Sequence, residues 1–315
     1  MNRDDVSWKG YWPACPTPFT PGGGAVDTEA LRALIDWYLD EGLHGIFING
    51  TTGEWFSQSA DERRLVAETA IDQVSGRVPV VIGCTSLTAK DAIELGKHAM
   101  AAGASGIGST PPPYSKTFPD ETVRYFQDIS DGLDAPLMVY NWPHGTSVDI
   151  GPDLASRIAD VDNVVAIKDS TPSLEQFFES TKRVVGRVRV FGPLMGVAGL
   201  EFLLESGGDG FIGGGSLWGR ADGTFWEDVW SGNVESARAH AERTDELFPK
   251  LWLPGGWAGQ FGAYQSQLKV LMGLLGQPTG DVRAPRLPVT DAASIERMRE
   301  ILVESGLTSE AVEVA

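Results

Sequence analysis

The 315-residue sequence predicts a (β/α)8 barrel, that is, a TIM barrel, with a C-terminal helical extension. Eight short apolar runs alternate with amphipathic helical stretches, which is the pattern of βα units that build a parallel sheet. No Gly-x-Gly-x-x-Gly segment follows the first run, so an open dinucleotide-binding sheet has no support. After Gly215 the pattern is helical only. Together these three observations favour a closed barrel followed by helices.

The predicted strands and helices alternate in order along the chain. The apolar runs are residues 11–16, 45–49, 78–83, 104–109, 136–141, 164–168, 188–192 and 208–213. The helical patterns between them are residues 28–41, 60–74, 89–101, 121–131, 153–158, 174–184 and 197–204. Two helices have clear start signals, because Asp27 or Thr28 precedes the first and Ser59 precedes the second.

Four further helices are predicted after the last strand. They cover residues 224–230, 234–247, 260–275 and 292–305. The first can close the barrel, and the others form the extension. We therefore expect residues 1–232 to be the barrel with the active site and residues 233–315 to be the extension, both within one structural unit.

Composition limits the classes of partner. The net charge of -18 argues against nucleic acids and anionic membranes, because both need a basic surface. The N-terminus has no apolar signal-peptide core, and no stretch approaches the ~18 apolar residues of a membrane span. Cys15 and Cys84 lie in apolar contexts and are expected to be buried thiols, although one internal bridge stays possible. We expect a cytoplasmic protein without metal or cofactor, since the four histidines lack metal-ligand spacing.

The sixth predicted strand ends in a lysine. The apolar run 164–167 indicates a strand buried on both faces, and Lys168 follows it directly. Burial disfavours an ammonium ion and can leave a neutral amine, which is the form that attacks a carbonyl to give a Schiff base. The alternative is that Lys168 marks the point where the strand reaches the surface. The end of a barrel strand is where active-site residues collect, because the C-terminal strand ends form one rim, so the other residues of that rim have to decide between the two.

Other strand ends supply polar groups to the same rim. The second strand runs into Gly50-Thr51-Thr52-Gly53-Glu54, whose amides and hydroxyls can hold a carboxylate, although it could be only a tight turn. The fifth strand ends at Tyr140, which can shuttle protons or be a core aromatic residue. Tyr114 lies in a proline-rich loop after the fourth strand and could simply pack. Each feature alone has a structural explanation, and only their combination is specific.

The combination resembles the dihydrodipicolinate synthase/N-acetylneuraminate lyase family of class I aldolases, from residue 11 to about residue 306. The resemblance implies that Lys168 forms a Schiff base with pyruvate or another 2-oxo acid. It implies that Tyr140 shuttles protons, that Thr51 relays them, and that Thr51 and Thr52 hold the carboxylate. Gly50 belongs to the same binding loop.

The resemblance extends to two further residues and to assembly. The backbone at the position of Ile212 lines the same pocket in the family. Many members complete the proton relay with a tyrosine from a neighbouring subunit, and Tyr114 is its match here. Family members are usually homotetramers built from tight dimers, so we expect a homotetramer.

Two departures from the family leave the substrate open. Lysine-pathway synthases carry an arginine shortly after the Tyr-Asn-x-Pro segment, whereas this chain has His144-Gly145-Thr146-Ser147. Sialic acid lyases carry an acidic pair after the seventh strand, whereas residues 192–196 are apolar. Trp55, Trp142 and Trp218 fall near rim loops, so the acceptor side looks aromatic, unless these side chains pack between subunits or under loops.

Four readings of the function follow. The first is a Schiff-base lyase or aldolase acting on pyruvate or another 2-oxo acid. The second is a 2-keto-3-deoxy sugar acid aldolase or dehydratase, which the Tyr-Asn-Trp-Pro-x-x-Thr segment also resembles. The third is a hydratase-aldolase for aromatic pyruvate adducts. The fourth belongs to another class, a catalytically inactive barrel that binds a 2-oxo acid.

Overall fold

Eight strands and twelve α-helices make up residues 1–308, the part of the chain that the structure, a computed structural model, describes. The strands are β1 (Gly10–Ala14), β2 (Ile46–Ile48), β3 (Val80–Gly83), β4 (Gly106–Ser109), β5 (Leu137–Asn141), β6 (Val164–Asp169), β7 (Arg189–Phe191) and β8 (Gly210–Gly214). The helices are α1 (Thr28–Asp40), α2 (Ala60–Val74), α3 (Ala89–Ala102), α4 (Pro119–Gly132), α5 (Pro143–Thr146), α6 (Pro152–Ile158), α7 (Leu174–Val184), α8 (Val197–Ser206), α9 (Arg220–Ser231), α10 (Val234–Leu251), α11 (Tyr264–Leu274) and α12 (Ala292–Glu304).

The strands form a closed parallel barrel in the order β1 to β8. Closure depends on β8, which pairs with β1 over five residues from Gly10↔Gly210 to Ala14↔Gly214. The glycines of β8 permit this approach, because a Cβ on Gly210 would overlap the Gly10 carbonyl oxygen. The predicted (β/α)8 barrel and the helices after it are confirmed.

Large apolar side chains fill the interior of the barrel. Trp8, just before β1, packs edge-on against Trp12 with ring centroids 5.7 Å apart, and Trp12 packs on Phe191 at 5.2 Å. Phe47 and Ile212 belong to the same buried cluster. A packed interior of this kind closes the barrel below the rim, so ligands can enter only from the loops.

Both residues predicted to start helices are N-caps in the structure. Asp27 is the N-cap of α1, and its carboxylate accepts a hydrogen bond from the Ala30 amide at 2.9 Å. Ser59 is the N-cap of α2 and forms a capping box, in which its hydroxyl accepts from the Glu62 amide and the Glu62 carboxylate accepts from the Ser59 amide. Capping of this kind stabilises a helix by about 1 kcal/mol.

Helix bounds differ from prediction where tertiary contacts outweigh local signals. α10 continues through Pro249 to Leu251 rather than stopping at residue 247, because burial of Leu247 and Leu251 outweighs the backbone hydrogen bond that Pro249 cannot donate. α11 begins at Tyr264, not at residue 260, because residues 252–262 form a loop. The short helix α5, directly after β5, was not predicted. The expected end of the extension at residue 315 lies outside the described residues.

A search of the helices among residues 1–308 finds none that is long and apolar enough to cross a membrane.

Candidate active site

Lys168 and Tyr140 lie side by side on adjacent strands. The register of β5 and β6 pairs Tyr140 with Lys168. The Lys168 Nζ lies 3.9 Å from the centroid of the Tyr140 ring and 5.3 Å from that of Phe47. Both Lys168 and Tyr140 are 6% exposed. The C-terminal ends of β5 and β6 thus present an amine and a phenol to the same point of the barrel mouth.

Burial sets the protonation state of Lys168. It lowers the pKa of the Lys168 amine from 10.5 to about 7, since the ammonium form loses its hydration. Asp169 is next in sequence, but alternate strand residues point to opposite faces, so its carboxylate is directed away from the amine. At neutral pH a substantial fraction of Lys168 is therefore the uncharged nucleophile.

A register shift in the sheet sets the face on which Lys168 emerges. The pairing of β5 with β6 moves from Leu137↔Val164 to Met138↔Ala166, so Val165 has no partner on β5. Val164 packs between sheet and helices, whereas Val165 and Ala166 both belong to the interior cluster. Counted from Val164 without this irregularity, strict alternation would direct Lys168 outward.

A polar network holds the turn after Lys168. The Asp169 carboxylate accepts hydrogen bonds from the Thr171 amide at 2.8 Å and from the Asn141 side-chain amide at 2.9 Å. The Asn141 side-chain oxygen Oδ1 accepts a hydrogen bond from the Ile150 amide at 3.0 Å. Burial raises the pKa of Asp169 to about 7, while the Thr171 and Asn141 bonds act in the opposite direction. The network joins the ends of β5 and β6 and thereby fixes Tyr140 beside Lys168.

The Tyr140 hydroxyl is kept as a proton donor. Burial raises the pKa of Tyr140 well above 10, and hydrogen bonds with the side chains of Ser170 and Thr51 oppose that rise. The phenol is consequently protonated at neutral pH and is adjacent to two hydroxyl groups. Such a row of hydroxyls can pass a proton between solvent-side groups and a reacting atom.

The loop after β2 carries Thr51 and Thr52, and the residues on either side of them, Gly50 and Glu54, hold this loop in place. A Cβ on Gly50 would lie 2.9 Å from the Phe47 ring, so glycine lets the loop approach the barrel interior. Glu54 takes a left-handed conformation with φ of 55° and is fully buried. Its carboxylate meets the Lys269 Nζ of α11 at 2.8 Å. The loop is thus held from the C-terminal part of the chain.

The remaining predicted site residues fall in two places. Ile212 is buried inside the barrel on β8, two strands from Lys168. Tyr114 is 98% exposed and has a φ of 76°, so within its own chain it does not join Lys168 and Tyr140. Its predicted role across a subunit interface stays a prediction.

The predicted aromatic acceptor side is only partly correct. Trp142 stacks on Tyr140 with ring centroids 6.1 Å apart, and the rings of His144 and Trp257 continue the row at 5.5 and 6.0 Å steps. Trp218 instead packs on His240 and Arg243 of α10. Trp55 lies against Phe56 and the Arg63 guanidinium. The three tryptophan side chains therefore do not line one surface. Their positions in rim loops leave open which way each side chain points.

Three residues near the site were not predicted. Ser170 follows the Lys-Asp pair and lies beside the Tyr140 hydroxyl. Gln265 of α11 donates a hydrogen bond from its side-chain amide to the Thr51 carbonyl oxygen at 2.9 Å. Tyr264 precedes it and lies beside the Thr52 side chain. Ser170 could have been predicted, because it lies two residues after Lys168 and alternate residues of a strand share a face. Nothing in the sequence links α11 to the rim.

The thiols take no part in this arrangement. Cys15 and Cys84 are both buried and free, and burial raises the pKa of each to about 12. Among residues 1–308 no group of three or more histidine, cysteine, aspartate or glutamate side chains could hold a metal ion.

Comparison with known proteins places the chain in a family. The dihydrodipicolinate synthetase family matches residues 7–303. An uncharacterized DapA-like lyase of Rhizobium meliloti is 33% identical over 298 residues, covering 94% of this chain and 96% of the relative. The 4-hydroxy-tetrahydrodipicolinate synthase of Syntrophobacter fumaroxidans is 34% identical over 303 residues, covering 95% and 99%.

Solved structures agree with this placement. The structure of YagE, a prophage protein of the dihydrodipicolinic acid synthase family from E. coli K12 in complex with pyruvate, superposes with a TM-score of 0.86 at 28% identity, covering 96% of this chain and all of YagE. Dihydrodipicolinate synthase from Thermotoga maritima gives a TM-score of 0.85 at 28% identity with the same coverage.

The closed βα barrel, the buried lysine beside a buried tyrosine and the match to this family together define an aldolase-type lyase. The chain belongs to the dihydrodipicolinate synthetase family.

Proposed function

We propose that the protein is a Schiff-base lyase or aldolase that acts on pyruvate or another 2-oxo acid. The observation that carries this proposal is the pair of side chains at the ends of β5 and β6. Lys168 is buried, burial lowers the pKa of its amine to about 7, and its Nζ lies 3.9 Å from the centre of the Tyr140 ring. A barrel that only bound a 2-oxo acid would have little use for a buried nucleophile next to a proton shuttle, which speaks against the inactive-barrel alternative.

The reaction begins at the ketone carbon of the 2-oxo acid. The Lys168 nitrogen adds to this carbon, and the ketone oxygen takes a proton to give a carbinolamine. Tyr140 protonates the hydroxyl group, which leaves as water and gives the iminium ion. The iminium then accepts the electron pair of an adjacent C–H or C–C bond to give an enamine. The proton released from that C–H bond, or from the hydroxyl group of the aldehyde that leaves when a C–C bond breaks, goes back to the Tyr140 phenolate. Thr51 returns the proton to Tyr140 between steps.

The carboxylate of the substrate has a place on the loop after β2. Thr51 and Thr52 offer hydroxyls, and their loop carries no cationic side chain. Amides and hydroxyls suit this role better than a lysine or arginine would, because a nearby positive charge would destabilise the positively charged iminium ion on Lys168. Gly50 and the backbone at Ile212 complete the pocket in this proposal. The YagE structure, which holds pyruvate, supports a 2-oxo acid as the ligand class.

Covalent trapping tests the proposal. We expect pyruvate and borohydride to give a stable adduct on the protein, located at Lys168 by mass spectrometry. Because the pKa of the amine is about 7, the initial trapping rate should rise with pH up to about 7 and then level off. At pH 5 the rate should be about one hundredth of the plateau, since only that fraction of the amine is neutral.

Alanine substitution of Lys182, an exposed lysine on α7, is the control and should leave the adduct unchanged. No adduct on the wild-type protein at saturating pyruvate would refute the Schiff-base proposal. A trapping rate that kept rising to pH 10 would refute the lowered pKa of Lys168 but not the Schiff-base proposal.

The second substrate has two candidates. The row of Trp142, His144 and Trp257 beside Tyr140 favours a flat acceptor, as in the hydratase-aldolase reading. The Tyr-Asn-Trp-Pro segment favours a 2-keto-3-deoxy sugar acid. The chain has no arginine between Trp142 and Asp149, so the second substrate of lysine-pathway synthases fits less well. Pyruvate consumption with aromatic aldehydes, compared with hydroxylated aliphatic aldehydes, separates the candidates.

A homotetramer built from tight dimers is the proposed assembly, in a cytoplasmic setting. Apolar side chains are exposed on the loops after β3 and β4, where Leu87 is 63%, Tyr114 98% and Phe118 75% exposed. A second copy on this surface would bury them and could bring Tyr114 to the neighbouring site. A sedimentation profile of monomer alone would contradict both the assembly and the role of Tyr114.

We also propose that residues 1–232 and the extension from residue 233 function as one unit. The support comes from α11, since Gln265 and Lys269 bind the loop that carries Thr51.

A further inference from the structure

Helix α11 of the extension reaches the rim of the barrel. Gln265 is 1% exposed, and its side chain donates to the Thr51 carbonyl oxygen at 2.9 Å. One turn later, Lys269 pairs with buried Glu54 at 2.8 Å and donates to the Thr17 carbonyl oxygen at 2.8 Å. Residues four apart share one helix face, so these two side chains fix the first turn of α11 against the loop.

Tyr264 opens α11 and is directed into the mouth. Its ring stacks on Trp252 with centroids 4.7 Å apart and planes 29° apart. Its hydroxyl lies against β8, where a Cβ on Gly214 would overlap the phenol oxygen. The side chain of Thr52 lies within hydrogen-bonding reach of the same hydroxyl. Three elements, the 252–262 loop, β8 and the loop after β2, therefore enclose the Tyr264 side chain.

Two threonine–tyrosine pairs thus stand at the mouth. Thr51 lies beside Tyr140 of β5, and Thr52 lies beside Tyr264 of α11. A threonine hydroxyl has one proton to donate and can accept from a neighbour. When Tyr264 donates to Thr52, the Thr52 proton is free for an anion, and the chain of hydrogen bonds strengthens each member.

We propose that Tyr264 is a positioning residue for the substrate carboxylate, which acts by donating a hydrogen bond to Thr52. The proposal rests on the function proposed above, because it assigns the carboxylate to Thr51 and Thr52. It divides the two pairs by task. Thr51 and Tyr140 move protons, whereas Thr52 and Tyr264 bind the carboxylate. The extension therefore contributes to substrate affinity and not only to packing.

A double-mutant cycle with pyruvate trapping tests this division. We expect Tyr264→Phe to raise the half-saturating pyruvate concentration about fivefold, the usual effect of one lost hydrogen bond, and to change the maximal trapping rate by less than about twofold. Phenylalanine keeps the stacking on Trp252. Thr52→Val should give a similar or larger increase. In the Thr52→Val background, Tyr264→Phe should add nothing, because its effect passes through Thr52.

The matched control is Tyr125→Phe, since Tyr125 is another buried tyrosine, packed in the layer between strands and helices. It should change neither parameter. An unchanged half-saturation in Tyr264→Phe, or effects that add in the double variant, would overturn the role of Tyr264. A wild-type protein that gives no adduct would instead refute the proposed function, so the two failures are distinguishable.

Discussion

Lys168→Met is expected to abolish adduct formation with pyruvate and all lyase turnover, because the variant has no nitrogen to add to the ketone. Methionine has a similar length and no charge, so the barrel should stay folded. The measurement is intact-protein mass after borohydride treatment, with circular dichroism as the check on folding. Any adduct that persisted in the folded variant would assign the nucleophile to another residue.

The same variant should be more stable than the wild type, and the difference should depend on pH. The folded-state pKa of Lys168, about 7, lies below the unfolded value of 10.5. Between these values the unfolded chain binds more protons, so wild-type stability rises with pH across this window. Below pH 7 the burial penalty is complete, and Lys168→Met should gain a few kcal/mol, on the order of what a buried unpaired charge costs.

Denaturant unfolding at pH 6 and at pH 9.5, at one protein concentration, measures this gain. It should shrink at the higher pH. A gain that was equal at both values would mean that packing, rather than the charge, caused it. A loss of stability would show that the amine is paired in the folded protein.

Tyr140→Phe is expected to lower turnover at least about 100-fold, the usual contribution of a positioned acid–base group. The ring that lies 3.9 Å from the Lys168 Nζ remains, so the surroundings of the amine are preserved. The iminium should still form, but more slowly, because water must replace the phenol as proton donor. Single-turnover trapping and steady-state turnover should be measured together. Unchanged turnover would remove Tyr140 from the proton relay.

Alanine is a poorer choice at this position. Tyr140→Ala would remove the ring as well as the hydroxyl and would open the amine to water. The pKa of the Lys168 amine would then rise toward 10.5. The loss of the proton donor and the change in the nucleophile could not be separated.

The rim residues from different strands could be predicted together because of one geometric rule. In a parallel barrel every strand points its C-terminal end to the same side, so a lysine ending the sixth strand and a tyrosine ending the fifth must meet at one rim. Their registered pairing across β5 and β6 follows that rule. Helix starts were also predictable, because Asp27 and Ser59 act on amides within one turn of themselves.

Other features depend on contacts that the sequence does not reveal. Val165 has no partner on β5, and this irregularity decides the face of the sheet on which Lys168 lies. A valine in a run of apolar residues gives no sign of such a register shift. Trp218 falls in a rim loop but packs on α10. Gln265 reaches Thr51 across 214 positions of the chain, and no local pattern encodes such a contact.

The attachment of α11 to the loop after β2 has a consequence for how this family could diversify. The nucleophile and proton shuttle stand on β5 and β6, whereas Tyr264 stands on a helix encoded far downstream. If Tyr264 and Thr52 hold the carboxylate as proposed, a substitution in that helix changes how tightly a 2-oxo acid binds, while the strands that carry the covalent chemistry remain untouched. The barrel and its C-terminal helices would then be separate targets for selection, one for the reaction and the other for substrate affinity.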